Sequence, residues 1–224
     1  HKIIKKIKKP EQDLDFNFWH VVKNKIYSSN ESGELIIWDL NDKAKCDTLK
    51  AHLKKVIRIR LIEEKNKLIT ASEDNTIKIW DLNSNEIIHT LNAHKTAIRW
   101  IDLSPDNKIL MSVSEDNQII LWDINSGEEI YSRFLFENNN WLIKLPNSPY
   151  YMCSKDASKM LHYVTPSNEI VGFEQLDPIY NRPDIVLDSI GQYFGGADQE
   201  ELALYRTIFE KRMNFLGLDS AKIY

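Results

Sequence analysis

Residues 68–82 read Leu-Ile-Thr-Ala-Ser-Glu-Asp-Asn-Thr-Ile-Lys-Ile-Trp-Asp-Leu, and residues 110–124 read Leu-Met-Ser-Val-Ser-Glu-Asp-Asn-Gln-Ile-Ile-Leu-Trp-Asp-Ile. Each is an apolar strand, a polar tight turn, a second apolar strand and a Trp-Asp pair. A weaker copy ends in Ile36-Ile37-Trp38-Asp39. Trp38, Trp80 and Trp122 stand 42 residues apart, so the chain is first of all a repeat protein.

Shifting the sequence by 42 residues lays 51–92 on 93–134, with identities that include His52/His94, Ser72/Ser114, Asp74/Asp116, Trp80/Trp122 and Asp81/Asp123. Within one period four short strands are expected, at 56–61, 68–72, 76–80 and 86–91 in the second repeat. Each is rich in β-branched or aromatic residues and bounded by turn formers. The turns are too short for parallel crossovers, so each period forms an antiparallel meander.

His52 and His94 precede the first strands, and Ser72-Glu73-Asp74 and Ser114-Glu115-Asp116 form the polar turns. With the Trp-Asp pairs, these residues resemble the WD-repeat β-propellers. The resemblance implies hydrogen-bonded blade networks of His52, Ser72, Asp74, Trp80 and of His94, Ser114, Asp116, Trp122. Buried polar groups stabilise a fold only when paired with one another, so these sets read as architecture and not as catalytic His-Asp arrangements. In the first repeat the His and Asp positions are Pro10 and Ser32, leaving only Trp38-Asp39. That blade is expected to hold by apolar packing of Phe16, Phe18, Trp19, Val21 and Val22.

The expected fold is all-β: a partial propeller of about four four-stranded antiparallel blades over 1–173, then a small helical extension over 174–224. The blades fall at about 13–49, 55–91, 97–135 and, in degenerate form, 140–173, with 2–7 as the outer strand of a preceding blade. Such propellers usually close a ring of about seven blades. The additional blades are expected from missing N-terminal sequence or a partner chain; an unusually small ring is the remaining alternative. The absence of an initiator Met fits a chain that begins inside a longer protein.

Beyond Glu174, Asp177-Pro178 and Asn181-Arg182-Pro183 read as a linker. A helix is expected over about 183–190, with Pro183 in its first turn and Gly191 past its end. A second helix, over about 198–216, places Leu202, Tyr205, Phe209, Met213 and Leu216 near one face. The stretch from Phe173 through Tyr180-Asn181-Arg182-Pro183-Asp184 to Gly217 resembles the helical junction that links a bacterial WD-repeat propeller to a caspase-like peptidase domain. That resemblance implies a peptidase domain outside these residues.

A net charge of -4 argues against a surface that binds polyanions over the whole molecule. The lysines between 2 and 9 are interrupted by Ile3, Ile4 and Ile7 and read as a protected edge strand, so nucleic acid is not the expected partner. Cys46 and Cys153 form no metal-ligand or disulfide pattern, which points to a reduced, cytoplasmic setting. Cys153 has His162 nearby in sequence, but both occupy repeat positions that are structural. No cofactor, no metal site, no membrane association and no catalysis are expected within these residues.

The candidate interaction residues are Arg58, Arg60, Arg99, Trp100 and Asp102, with a purely structural cation–π contact and ion pair as the other reading. Period-2 alternation puts Arg58/Arg60 and Trp100/Asp102 on the face of the first strands opposite Ile59/Leu61 and Ile101/Leu103. Arg58 and Trp100 share one blade position, as do Arg60 and Asp102, so each pair should meet across adjacent blades. The expected function is a protein-interaction scaffold with protein partners. The alternative is the regulatory portion of a larger caspase-like cysteine peptidase.

Overall fold

A computed structural model describes residues 19–42, 46–164 and 170–218, with the backbone alone at 163, 164 and 173–176. The expected strand at 2–7 and the packing of Phe16 and Phe18 lie outside the described residues. The first antiparallel sheet holds β1 (Trp19–Val22), β2 (Lys25–Ser29), β3 (Glu34–Asp39) and β4 (Cys46–Lys50) in chain order. The second repeats it with β5 (Val56–Ile62), β6 (Lys67–Ser72), β7 (Ile77–Asp81) and β8 (Glu86–Leu91). A third, six-stranded sheet contains β9 (Ile98–Leu103), β10 (Ile109–Ser114), β11 (Gln118–Asp123), β12 (Glu129–Leu135), β13 (Trp141–Lys144) and β14 (Tyr151–Cys153). A two-stranded hairpin, β15 (His162–Val164) and β16 (Ile170–Gly172), precedes α1 (Phe173–Tyr180), α2 (Pro183–Gly191) and α3 (Gln199–Phe215). The fold is thus mostly β, in antiparallel sheets, with a short helical C-terminal part.

Two repeated turn devices build the meanders. At the turn between second and third strands, Gly33, Asn75 and Asn117 all take left-handed backbone conformations, with φ of 80°, 72° and 60°. Glycine and asparagine bear that conformation most easily. Gly33 is required for a second reason: a Cβ there would meet the backbone carbonyls of His52 and Lys54. The second device is the Asp of each Trp-Asp pair. Asp39 accepts the backbone N–H of Asn41 at 2.7 Å, Asp81 that of Asn83 at 2.6 Å, and Asp123 that of Asn125 at 2.7 Å. The carboxylate mimics a backbone carbonyl and folds the chain into the fourth strand.

The chain divides into two compact units, one of described residues up to Asp116 with Trp122–Glu128, the other of Asn117–Leu121 with the described residues from Glu129 onward. In the first, Tyr27, Leu35 and Ile37 of the first sheet pack with Ala51, Val56, Ile59, Leu68, Trp80 and Leu82 of the second. Trp19 and Val21 do not join this core: they are 63% and 43% exposed, because the central strands β2 and β3 already fill it.

The fourth blade does not form as a four-stranded sheet of its own. β13 pairs with β12 through Leu135↔Trp141 and Ser132↔Lys144, extending the third sheet, while β15 and β16 pair separately. The short turn after Phe136, closed by Phe136 N–H to the Asn140 carbonyl at 2.8 Å, lets β13 fold directly back on β12. The linker expected over 174–182 is in fact largely helical, as α1. Pro178 removes one donor from it, yet Asn181 N–H still reaches the Asp177 carbonyl at 3.0 Å and the Arg212 guanidinium donates to the same oxygen at 3.2 Å.

The second unit is held by a buried ionic lock. The Arg182 guanidinium donates through Nε and Nη2 to both oxygens of Asp184, at 2.9 and 2.8 Å, and its plane lies 3.8 Å from the Phe209 ring of α3. Its backbone N–H donates to Tyr151 of β14 at 2.8 Å, and the Tyr151 hydroxyl donates to Asp177 at 3.0 Å. Around it Val186 packs with Ile143 and Leu145, while Leu202, Phe209 and Met213 fill the inner face of α3. Asp198 caps α3 by accepting Glu200 N–H at 2.9 Å. Leu216, expected on the inner face, is 46% exposed, beyond the last packed turn. Removing Arg182 leaves a buried, uncompensated carboxylate, so Arg182→Met is expected to cost about 3–5 kcal/mol in denaturant titration. Arg206→Met, at a half-exposed residue 4.0 Å from Asp184, should cost about 1 kcal/mol or less.

Candidate interaction surface

The tryptophans anchor a chain of hydrogen bonds whose hub is a hydroxyl two residues upstream of the expected serine. In the second repeat, Trp80 Nε1–H donates to Thr70 Oγ1 at 2.9 Å, Thr70 Oγ1 is 2.8 Å from His52 Nε2, and His52 Nδ1 is 3.0 Å from Asp74 Oδ2. An indole N–H can only donate and a carboxylate can only accept, so the chain runs one way. Trp80 donates to Thr70, Thr70 donates to His52, and neutral His52 donates from Nδ1 to Asp74. Burial pushes the His52 imidazole below its ordinary value, outweighing the upward pull of Asp74. Burial alone would raise the Asp74 carboxyl; the Thr76 hydroxyl and the N–H groups of Leu53 and Thr76 hold it below the usual range.

The same hub recurs as Ser112, which receives Trp122 Nε1–H at 2.8 Å and lies 2.7 Å from His94 Nε2. In the first sheet Ser28 receives Trp38 Nε1–H at 3.1 Å and donates to the Ile36 carbonyl at 3.4 Å. Ser72 and Ser114, expected beside the tryptophans, sit at the turns: Ser72 accepts Asp74 N–H at 3.1 Å and donates to the Lys54 carbonyl at 3.1 Å, and Ser114 donates to Asp116 at 2.6 Å. Ser28, Thr70 and Ser112 stand 42 residues apart, each ten before its tryptophan, and that period was the signal for them.

The candidate interaction residues lie on β5 and β9, both in the first unit. The Arg58 guanidinium sits 3.8 Å from the centre of the Trp100 ring, and that of Arg60 sits 5.8 Å away. Arg60 Nε approaches Asp102 Oδ1 at 3.6 Å, while Arg99 pairs outward with Glu115 at 2.9 Å. Simple alternation is broken on both strands. The register shifts between Val56 and Arg58 and again opposite Val113/Ser114, leaving Ile57 and Arg99 as bulged residues at equivalent positions. Both turn toward a cleft lined also by Lys55, Glu73, Ala97 and Glu115. Trp100 remains 40% exposed with a cation stacked on it, so an aromatic face, two guanidinium groups and the Asp102 carboxylate share one surface, while Arg99 and Glu115 line the cleft.

Both thiols are held toward their neutral form. Burial and the neighbouring Asp177 push Cys153 up to about 12, and burial with Asp47 also raises Cys46. Among the described residues, no group of three His, Cys, Asp or Glu is placed to hold a metal ion, and no helix is long and apolar enough to cross a membrane.

Residues 44–81 and 85–123 match the family model described as WD domain, G-beta repeat. Similar solved structures include a chain of "Crystal Structure of Mitotic Checkpoint Complex", at 18% identity and a TM-score of 0.48, over 62% of this chain and 50% of that one. A second is the computationally designed Ika8 protein, at 20% identity and a TM-score of 0.48, over 58% of this chain and 42% of that one. The chain spans half or less of the length of these structures. No curated protein matches the sequence.

Two outcomes test the hydroxyl hub. Thr70→Val keeps shape but strands the Trp80 N–H and the His52 ring nitrogen, and should cost on the order of 2–3 kcal/mol by chemical denaturation. Ser72→Ala, which removes the bond to the Lys54 carbonyl and the cap on Asp74 N–H but leaves the Trp80 and His52 partners in place, should cost less, about 1 kcal/mol. The second outcome follows pH. An unfolded imidazole titrates near ~6.5, and the folded His52 lies lower, so the unfolded state takes up the proton first. Stability is therefore fully present above about pH 6.5 and falls as pH drops toward the depressed folded value. The decline in melting temperature from about pH 7.5 to about pH 5.5 should be shallower in His52→Gln than in the wild type.

Proposed function

We propose that this chain is a non-catalytic protein–protein interaction scaffold, and that Arg58, Arg60, Arg99, Trp100 and Asp102 form part of its recognition surface. The observation that carries the reading is Trp100. A tryptophan left 40% exposed on a first strand, beneath a guanidinium at 3.8 Å, is preorganised at little further entropic cost. Trp and Arg are also the side chains that most often dominate protein interfaces. The two WD repeats supply rigid support, and the raised thiol of Cys153 favours a non-catalytic role.

A second reading makes the chain the regulatory portion of a larger caspase-like cysteine peptidase whose catalytic domain lies outside these residues. What supports it is the Tyr180-Asn181-Arg182-Pro183-Asp184 run, whose Arg182 and Asp184 form a buried lock able to transmit force between the β14 edge and the helices. In that case the interaction surface senses a partner and the helices relay the signal. The gene beyond residue 224 discriminates between the two readings.

For the scaffold reading, Arg58→Ala combined with Trp100→Ala should leave the far-UV spectrum intact and weaken capture of the native partner at least tenfold, about 1.4 kcal/mol or more. Unchanged capture by the folded double variant would remove this patch from the recognition surface.

A further inference from the structure

The inner face of α3 is fully used, yet its outer face is also apolar. Leu202, Phe209 and Met213 are buried, whereas Leu204, Ile208 and Phe215 on the opposite side are 58%, 44% and 90% exposed. Read along the helix, Glu201, Leu204, Ile208, Lys211 and Phe215 follow a 3-4-3-4 spacing, the seam by which one helix packs along another. A helix facing only solvent on that side has no physical reason to keep such a seam apolar.

The pattern identifies its own complement. In an antiparallel pair of α3 helices that sets Leu204 against Ile208 of a second copy, Glu201 falls against the second copy's Lys211, and each contact occurs twice by symmetry. The same register brings Phe215 over Ala197 of the second copy, next to Gly195 and Gly196, where the space beside the backbone is open. Tyr193 and Phe194, just before these glycines in sequence, are 40% and 52% exposed. A parallel, in-register pair would instead oppose Glu201 to Glu201 and Lys211 to Lys211, which disfavours it. Among the described residues no ion pair within the chain engages Glu201 or Lys211. Antiparallel alignment also sets the helix dipoles head to tail.

We infer that α3 is a self-association surface: a second copy of this chain docks on the Leu204–Ile208–Phe215 seam as an antiparallel helix pair, with its direction set by Glu201 and Lys211. One helix of 17 residues gives a contact smaller than a standard permanent interface, so the dimer is weak and concentration-dependent.

Sedimentation velocity on the 224-residue chain, from about 5 to about 500 µM, tests this. The wild type should pass from monomer to dimer across that range. Glu201→Lys and Lys211→Glu, both at exposed positions, should each weaken association at least about tenfold with unchanged circular dichroism. The double variant should regain the wild-type association. An equimolar mixture of the two single variants should also dimerise, because opposite charges then face each other at both ends; this arm still decides the matter if the double variant does not fold. A wild type monomeric throughout, a dimer indifferent to both single changes, or a mixture no tighter than its components would each overturn the proposal, the first outcome leaving the seam to a different protein.

Discussion

The one-way hydrogen-bond chain from Trp80 through Thr70 and His52 to Asp74 is the constraint on which the second repeat depends. Each member has a polarity its neighbour must match. A donor-only indole needs an acceptor, and a hydroxyl with one proton can pass on only one hydrogen bond. The imidazole must therefore present its bare nitrogen to Thr70 and its N–H to the carboxylate. A protonated ring would set a donor against the Thr70 hydroxyl, which then could not donate in turn. Burial that keeps His52 neutral is thus part of the same device. The carboxylate end ties the network to the turn, because Asp74 also accepts N–H groups from Leu53 and Thr76. One chain fixes the tryptophan on the third strand, the segment before the first strand and the turn between second and third.

The first sheet shows what survives when most of that chain is deleted. With Pro10 and Ser32 at the His and Asp positions, Ser28 still receives the Trp38 N–H and turns its own proton to the Ile36 carbonyl. The buried Ser28 hydroxyl thus keeps an acceptor for its proton. The cost falls on the turn, where no carboxylate gathers the backbone N–H groups. There the chain uses Gly33, whose missing Cβ lets the His52 and Lys54 carbonyls approach closely. Asn30 contributes too, accepting Glu34 N–H at 2.9 Å. Backbone approach and a local side-chain cap replace the ionic part of the network.

Much of this was legible from the 42-residue period: the antiparallel meanders, the Trp-Asp turns and the meeting of Arg58 with Trp100. What escaped has physical causes. Thr70 and Ser112 differ in identity, and an alignment by identity passes over a hub that requires only a hydroxyl; the identical Ser72 and Ser114 drew the assignment instead. The bulges at Ile57 and Arg99 are backbone events with no residue signature, and they decide which side chains reach the cleft. Pro178 reads as a helix breaker, but packing of Arg212 onto the Asp177 carbonyl overrides local preference. The degenerate fourth repeat kept its strands without the polar lock that would hold them in one sheet, and β13 and β14 joined the third sheet.

The two units bury polar groups by opposite strategies, and the difference sets how each answers its surroundings. The second repeat uses a largely neutral relay that ends in one carboxylate and has an imidazole at its centre, so mild acid can disrupt it. The helical unit uses Arg182, a guanidinium that stays charged at any physiological pH, clamped on Asp184 and stacked on Phe209. With no imidazole in that lock and almost no solvent reaching it, mild acid has no handle there and salt screens it little. Mild acid therefore acts first on the relay that supports the Arg58–Trp100 surface, while the helices that carry the α3 seam keep their lock. Recognition and self-association, if both reside in this chain, respond to different conditions because their supports are built from different chemistry.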